Sequence, residues 1–373
     1  MTDKIYNIPA GCAFAEVLAG HFLREYRGRE LELTDVLFLL PNRRAVKALK
    51  DAFVRLQGLA PTLLPQMLPI GDVEEDELFL TGFDQSSALA TLAPAISRAE
   101  RLLLFTKIIM AKPIEYGIEK LAANQACYLA QELANLIDTV HNQGLSFDRL
   151  TDLVPEEYAV HWQETLKFLQ IITEYWPQIL AERQLIDASD RRNRLLRAQI
   201  DLWRQNPPVK RIVAAGTTAA FPLMKELVKT VLSLEKGELY LAGIDKFLED
   251  EAWEKIDETH PQHELKELLD YLTVRREDIP DLQAPENFGR EVLISEVMRP
   301  AATTEKWRDI AGKKIRHEAA DGITLVNCAD MREEALTIAL LLREAVETPE
   351  KTAALVTGDR NCLLYTSPSP RDP

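Results

Sequence analysis

Asp35–Phe53, DVLFLLPNRRAVKALKDAF, changes character halfway along. Five apolar residues, Val36, Leu37, Phe38, Leu39 and Leu40, stop at Pro41-Asn42, and Arg43-Arg44 open a segment of helical period. An apolar run this short, closed by proline, predicts a strand buried on both faces of a parallel sheet. The helix that follows puts Val46, Leu49, Phe53 and Leu56 on one face and Arg43, Lys47 and Lys50 near another. Ligands of open α/β sheets sit at strand carboxyl ends. An asparagine, two arginines and a helix N-terminus at such an end suit a phosphate group. A polar strand–helix loop with solvated arginines fits the same residues.

Upstream, the pattern predicts a strand near Ile5–Ile8 and a helix from Phe14 to Tyr26. Downstream, LLPQMLPIGDVEEDELFL reads as a loop with an extended start and an acidic end. Asp72, Glu74, Glu75, Asp76 and Glu77 suggest a metal site, but a run this dense fits a solvated turn or an acidic first helical turn better. Residues 92–206 are patterned as helices: Arg101–Met110, Gln125–Asn142 and Tyr158–Glu182 carry apolar residues at i, i+3, i+4. Trp162, Phe168, Tyr175, Trp176 and Trp203 are expected in the core of that bundle, and His141 and His161 in its cores or surfaces.

From Pro207 the α/β pattern returns, with RIVAAG (211–216) a strand, FPLMKELVKTVLSL a helix and GELYLAGID (237–245) a strand. His260 and His263 lack a third ligand at metal spacing and are read as surface residues. A further strand–helix–strand unit is expected from Gly322: GITLVNCAD, MREEALTIALLLREAVE and TAALVTGD.

The 373 residues allow two or three domains, and 46% hydrophobic with 28% charged residues is the composition of an ordinary globular protein. A net charge of −15 and a pI near 5.0 exclude a globally basic nucleic-acid coat, though not a local basic groove. Cys12, Cys127 and Cys328 are far apart with no CxxC, which points to reduced thiols in the cytoplasm rather than a disulfide framework or zinc site. No run approaches a membrane span, and MTDKIYNIPAG is not a signal peptide. The string Cys362–Asp372, CLLYTSPSPRD, breaks the preceding pattern and resembles translated read-through of a transposase sequencing adapter. It is set aside as an artefact. On that reading the chain is the front of something longer; the alternative is a native Pro/Ser-rich tail.

The loop IPAGCAFAEVLA (Ile8–Ala19) stands between first strand and first helix, the position of a phosphate-binding loop. It offers only Gly11 and no Lys-Ser/Thr pair, so it is degenerate for ATP. RIVAAGTTAAFP has no acidic pair for magnesium, and Thr217 and Thr218 make at most a weak phosphate contact. No nucleophile-elbow or His-Glu-x-x-His pattern occurs.

PNRRAVKALKDAF resembles the Asn-Lys-Ala-Ala segment after the second strand of superfamily-one helicases, which grips single-stranded DNA. Six segments in order extend the likeness: IPAGCAFAEVLA, VLFLLPNRRAVKALKDAF, LLPQMLPIGDVEEDEL, VAAGTTAAFP, EVMRPAATTEKW, and GITLVNCADMREEALTIALLLREA with AALVTGDR. Together, over about residues 5–361, they resemble the N-terminal portion of the AddB family. These are helicase-like and nuclease subunits of AddAB double-strand-break repair complexes, here of alphaproteobacterial type.

The resemblance implies an α/β fold with a RecA-like parallel sheet domain and a large helical insertion. Residues 1–91 and 207–315 would form the RecA-like domain, 92–206 the insertion and 316–361 the truncated start of a second RecA-like domain, with 362–373 the artefact. It implies DNA contacts at Asn42, Arg43 and Arg44, and at Arg299 in EVMRP and Arg360 in TGDR. Glu334 would orient a neighbour or cap a helix. It implies partners in DNA ends, single-stranded DNA and an AddA helicase–nuclease subunit. No catalytic residue or cofactor is expected in this portion, ATP and Mg belonging to the complex. Two other readings fit the residues: a stand-alone α/β enzyme holding a nucleotide or phosphate ligand, and a helical scaffold.

Overall fold

Five strands pair in parallel in the order β1-β5-β4-β2-β3: β1 (Ile5–Ile8), β2 (Val36–Leu40), β3 (Gln66–Pro69), β4 (Arg211–Ala215) and β5 (Gly237–Ala242). They come from a computed structural model that describes residues 2–58, 63–70, 92–111, 121–147, 169, 171–312, 317–349 and 351–358. By its internal contacts the chain divides into two units, Met1–Ala319 and Ala320–Pro373.

The sheet belongs to the first unit and has helices on both faces. Strand side chains alternate between them. Val36, Phe38 and Leu40 of β2, with Val213, Ala215 and Tyr240, meet α1 (Phe14–Glu25) and α2 (Arg43–Gln57). Leu37 and Leu39, with Ile212, Ala214, Leu239 and Leu241, face the other layer. All five residues of β2 are buried, as a strand covered on both sides requires. In α2 the apolar face is narrower than its sequence suggests: Leu49, Ala52 and Phe53 are buried, but Leu56 is 49% exposed. Ala52 takes the inward position, and Leu56 lies in the last turn against Gly20 of α1.

Between β3 and β4 the described residues form helices: α3 (Arg98–Ala111), α4 (Ala123–Asn142), α5 (Trp176–Arg183) and α6 (Ala188–Gln205). A π-helical turn, Ile171–Tyr175, leads into α5. Phe105 and Trp176 meet with ring centroids 4.3 Å apart in the core of α3, α4 and α5. Buried Arg101 and Asp187 make an ion cluster beside it with the partly exposed Asp138. Arg101 donates to Asp138 at 2.6 and 2.8 Å and to Asp187 at 3.1 Å, and the Trp176 indole donates to Asp187 at 2.8 Å. Trp203 is not part of this core; α6 delivers it with Leu196 and Ile200 to the sheet. Trp162, Phe168 and His161 lie outside the described residues, as does the acidic run from Asp72.

α7 (Pro222–Ser233) joins β4 to β5, and α8 (His263–Leu272) completes that layer with Leu265, Leu268, Leu269 and Leu272. β1 is an edge strand, and residues 280–282 run parallel along its free side: Asn7 N–H donates to Pro280 O at 2.9 Å and Leu282 N–H to Asn7 O at 2.8 Å. The edge is thereby covered. α9 (Phe288–Val297) follows.

In the second unit α10 (Met331–Glu347) forms as its sequence predicts, capped by Asp330, which accepts from Glu333 N–H at 2.8 Å. Glu333 accepts from Ala329 N–H at 2.6 Å, so the carboxylates at this helix start are Asp330, the cap, and Glu333, rather than Glu334. Residues 322–330 and 351–358 are not strands. A strand needs a neighbour for its backbone groups, and neither segment runs beside one among the described residues. Their apolar side chains stay out, Leu325 at 85% and Val356 at 92% exposure.

Candidate functional site

All five strands point their carboxyl ends to one edge, so the loops after β1, β2, β4 and β5 share it. The loop after β2 is Pro41-Asn42. Asn42 is extended, at φ −158°, and its side chain accepts from Ala45 N–H at 3.0 Å, capping α2. The amides of Arg43 and Arg44 lie in the helical turn that has no intrahelical acceptor. Asn42, Arg43, Arg44, Lys47 and Lys50 are exposed, and the first turn of α2 holds no acidic residue. Three of the predicted DNA contacts thus stand together, on one basic helix start at the sheet edge.

Arg299 does not join them. Its side chain is 0% exposed: Nη2 donates to both Glu296 carboxylate oxygens at 3.0 Å, and Nη1 reaches Glu249 at 3.5 Å. Burial works against its charge, but Glu296 and Glu249 outweigh that and hold the guanidinium protonated. It is a structural ion pair and not a surface cation. Arg360 lies outside the described residues.

The loop after β1 carries Gly11. Its N–H donates to Glu291 Oε1, on α9, at 2.7 Å. A Cβ added at Gly11 would stand 3.0 Å from that same oxygen. The loop after β4 meets this one, because a Cβ at Gly216 (φ +66°) would touch the Phe14 ring at 3.3 Å. Here Thr217 is buried and its hydroxyl accepts from Ala219 N–H at 3.1 Å, while the Thr218 hydroxyl bonds the Glu264 carboxylate of α8. The Thr218 hydroxyl has its hydrogen on a carboxylate, and the Thr217 hydroxyl is buried beneath the loop.

The β5 loop ties the crevice together. Gly243 N–H donates to Ile8 O at 2.8 Å, with φ +68° and Ala10 so close that a Cβ would stand 3.1 Å away. Buried Asn7 accepts from Ile244 N–H at 3.0 Å and donates to Asp281 at 2.6 Å. Glu264, Glu291 and Asn7 carry no motif in the sequence; only the fold brings them to these loops.

His260 accepts from Gln262 N–H at 3.1 Å and touches Met298 O at 2.6 Å, while His263 lies 3.7 Å from Glu267. Among the described residues no group of three or more His, Cys, Asp or Glu is arranged to hold a metal ion. Among them, too, no helix is long and apolar enough to cross a membrane.

These features define an α/β protein with a five-stranded parallel sheet, a basic helix start at one strand end and carboxylate-filled loops at two others. No protein-family model matches the chain, and no curated protein matches it.

Proposed function

We propose that the chain is the helicase-like front portion of an AddB-type subunit. It grips DNA by its phosphates at the start of α2 and works with an AddA-type helicase–nuclease partner on double-strand breaks, without hydrolysing ATP itself. The observation that carries this reading is the cluster Asn42, Arg43, Arg44 and Lys47, exposed at the carboxyl end of β2 with no acid in the first turn. In a chain of net charge −15, a turn so basic concentrates positive potential at one place on the sheet edge. The all-parallel sheet is compatible with this reading. Its first strand is at an edge beside its last, unlike dinucleotide-binding or flavodoxin-like orders, in which the first strand is internal. The Gly11 amide and the Thr218 hydroxyl are bonded to Glu291 and Glu264, which weighs against a stand-alone nucleotide enzyme.

The test is single-stranded DNA affinity of the full chain against salt, read by fluorescence anisotropy. Arg43→Ala with Arg44→Ala is expected to lower the slope of log K on log salt by about 1.4, the share of two phosphate contacts. An unchanged slope overturns the reading.

A further inference from the structure

The crevice between β1 and β4 is where a RecA-like sheet would hold ATP, and the residues present do not fit it. Gly11 is followed by Cys12 and Ala13 rather than by Lys and Ser/Thr. The Gly11 amide, the one glycine donor of that loop, is held by Glu291 at 2.7 Å. The Thr218 hydroxyl, across the crevice, is held by Glu264. Both carboxylates come from first turns of helices that follow the sheet in sequence, α8 and α9. The helices are anchored beside it: Gln262 donates to Gly243 O at 2.9 Å and accepts from Asp245 N–H at 3.1 Å, and Asn7 binds Asp281.

A nucleotide phosphate entering here would meet two negative charges and find the Gly11 amide and the Thr218 hydroxyl already bonded. Yet the donors are bonded to oxyanions, the same class of group that phosphate offers. We propose that Glu264 and Glu291 are tethered anions, filling from within the chain an anion site that the loops after β1 and β4 still form. The carboxylates keep the crevice shut to inorganic phosphate and nucleotides, and they latch α8 and α9 to the sheet edge. This inference does not depend on DNA binding at α2, which is measured separately.

The experiment compares the wild-type chain with the pair Glu264→Ala/Glu291→Ala and with Glu264→Gln/Glu291→Gln. Inorganic phosphate and pyrophosphate binding is read by calorimetry, with chloride at equal ionic strength as control. The alanine pair, shown folded by circular dichroism, is expected to bind pyrophosphate at least about tenfold more tightly than the wild type. The glutamine pair, which keeps the shape and loses the charge, is expected to gain less. A folded alanine pair that binds no better than the wild type overturns the proposal, as does a wild type that already binds equally well. If the alanine pair does not fold, the glutamine pair decides, a gain supporting the proposal and no gain overturning it.

Discussion

Arg211 Nη2 grips both carboxylate oxygens of Glu238 at 2.8 Å, from the first residue of β4 to the second of the neighbouring β5. Nη1 holds Glu25 at 2.6 Å and the Tyr26 hydroxyl at 3.2 Å, and the guanidinium lies 4.6 Å over the Phe22 ring. The cluster fastens the end of α1 to the amino edge of the sheet, opposite the loops that carry the candidate site. Arg211→Met would leave Glu238 largely buried without its partner, and it is expected to cost about 3 kcal/mol. Urea unfolding at neutral pH measures this directly.

His21 borders the same cluster, its ring 5.5 Å from Phe22 and its Nε2 3.7 Å from Glu25. Burial holds its imidazole below the ordinary 6.5; Glu25 opposes that shift and Arg211 adds to it. The unfolded chain therefore takes up this proton before the native one does. The contribution to stability is complete above about pH 6.5 and is lost as pH falls through the lower native value. His21→Gln should flatten the decline in urea midpoint between about pH 7 and pH 5.

The two kinds of arginine separate under mutation. Arg299→Met is expected to lower stability by about 3 kcal/mol, because Glu296 is left buried, and to leave the DNA salt slope where it was. Arg44 is exposed with no ion-pair partner among the described residues. Arg44→Ala should do the reverse, keeping stability within about 0.5 kcal/mol and lowering the slope. Paired unfolding and anisotropy measurements on each variant show whether the split holds.

Gly237 opens β5 where the chain turns back from α7, and a Cβ there would lie 1.7 Å from the Val231 carbonyl oxygen. Backbone cannot yield that far without moving the strand. Gly237→Ala is expected to cost about 3 kcal/mol or more. Gly28, at φ +77° with nothing within 4 Å of its would-be Cβ, is the control, and alanine there should cost about 1 kcal/mol. Thermal unfolding of both variants compares the two effects.

What the sequence makes legible here is what is local. The change from Val36–Leu40 to Arg43–Gln57 is written in adjacent residues, and both elements form as their patterns predict. Gln66–Pro69 reads only as an extended loop start, because four residues ending in proline carry too little alternation; pairing with β2 makes it a strand. Residues 322–330 show the converse, a strand-like pattern with no neighbour to pair it among the described residues. Arg299 looks like any motif arginine until Glu249, fifty residues earlier, is seen beside it. The contacts that fill the crevice span 280 residues for Gly11–Glu291 and 46 for Thr218–Glu264. Periodicity carries no record of such distances.

The strand order sets a timetable for synthesis. Ile5–Ile8 leaves the ribosome first, yet the strand it pairs with among the described residues is Gly237–Ala242, more than two hundred residues later. At about 5–20 residues per second, that apolar segment waits unpaired for tens of seconds while the helices between are made. β2 and β3 can zip at once, but β1 must be stored, by its own collapse onto α1 or by a chaperone, until β5 arrives. The last element to leave the ribosome in this sheet is the one that admits the first.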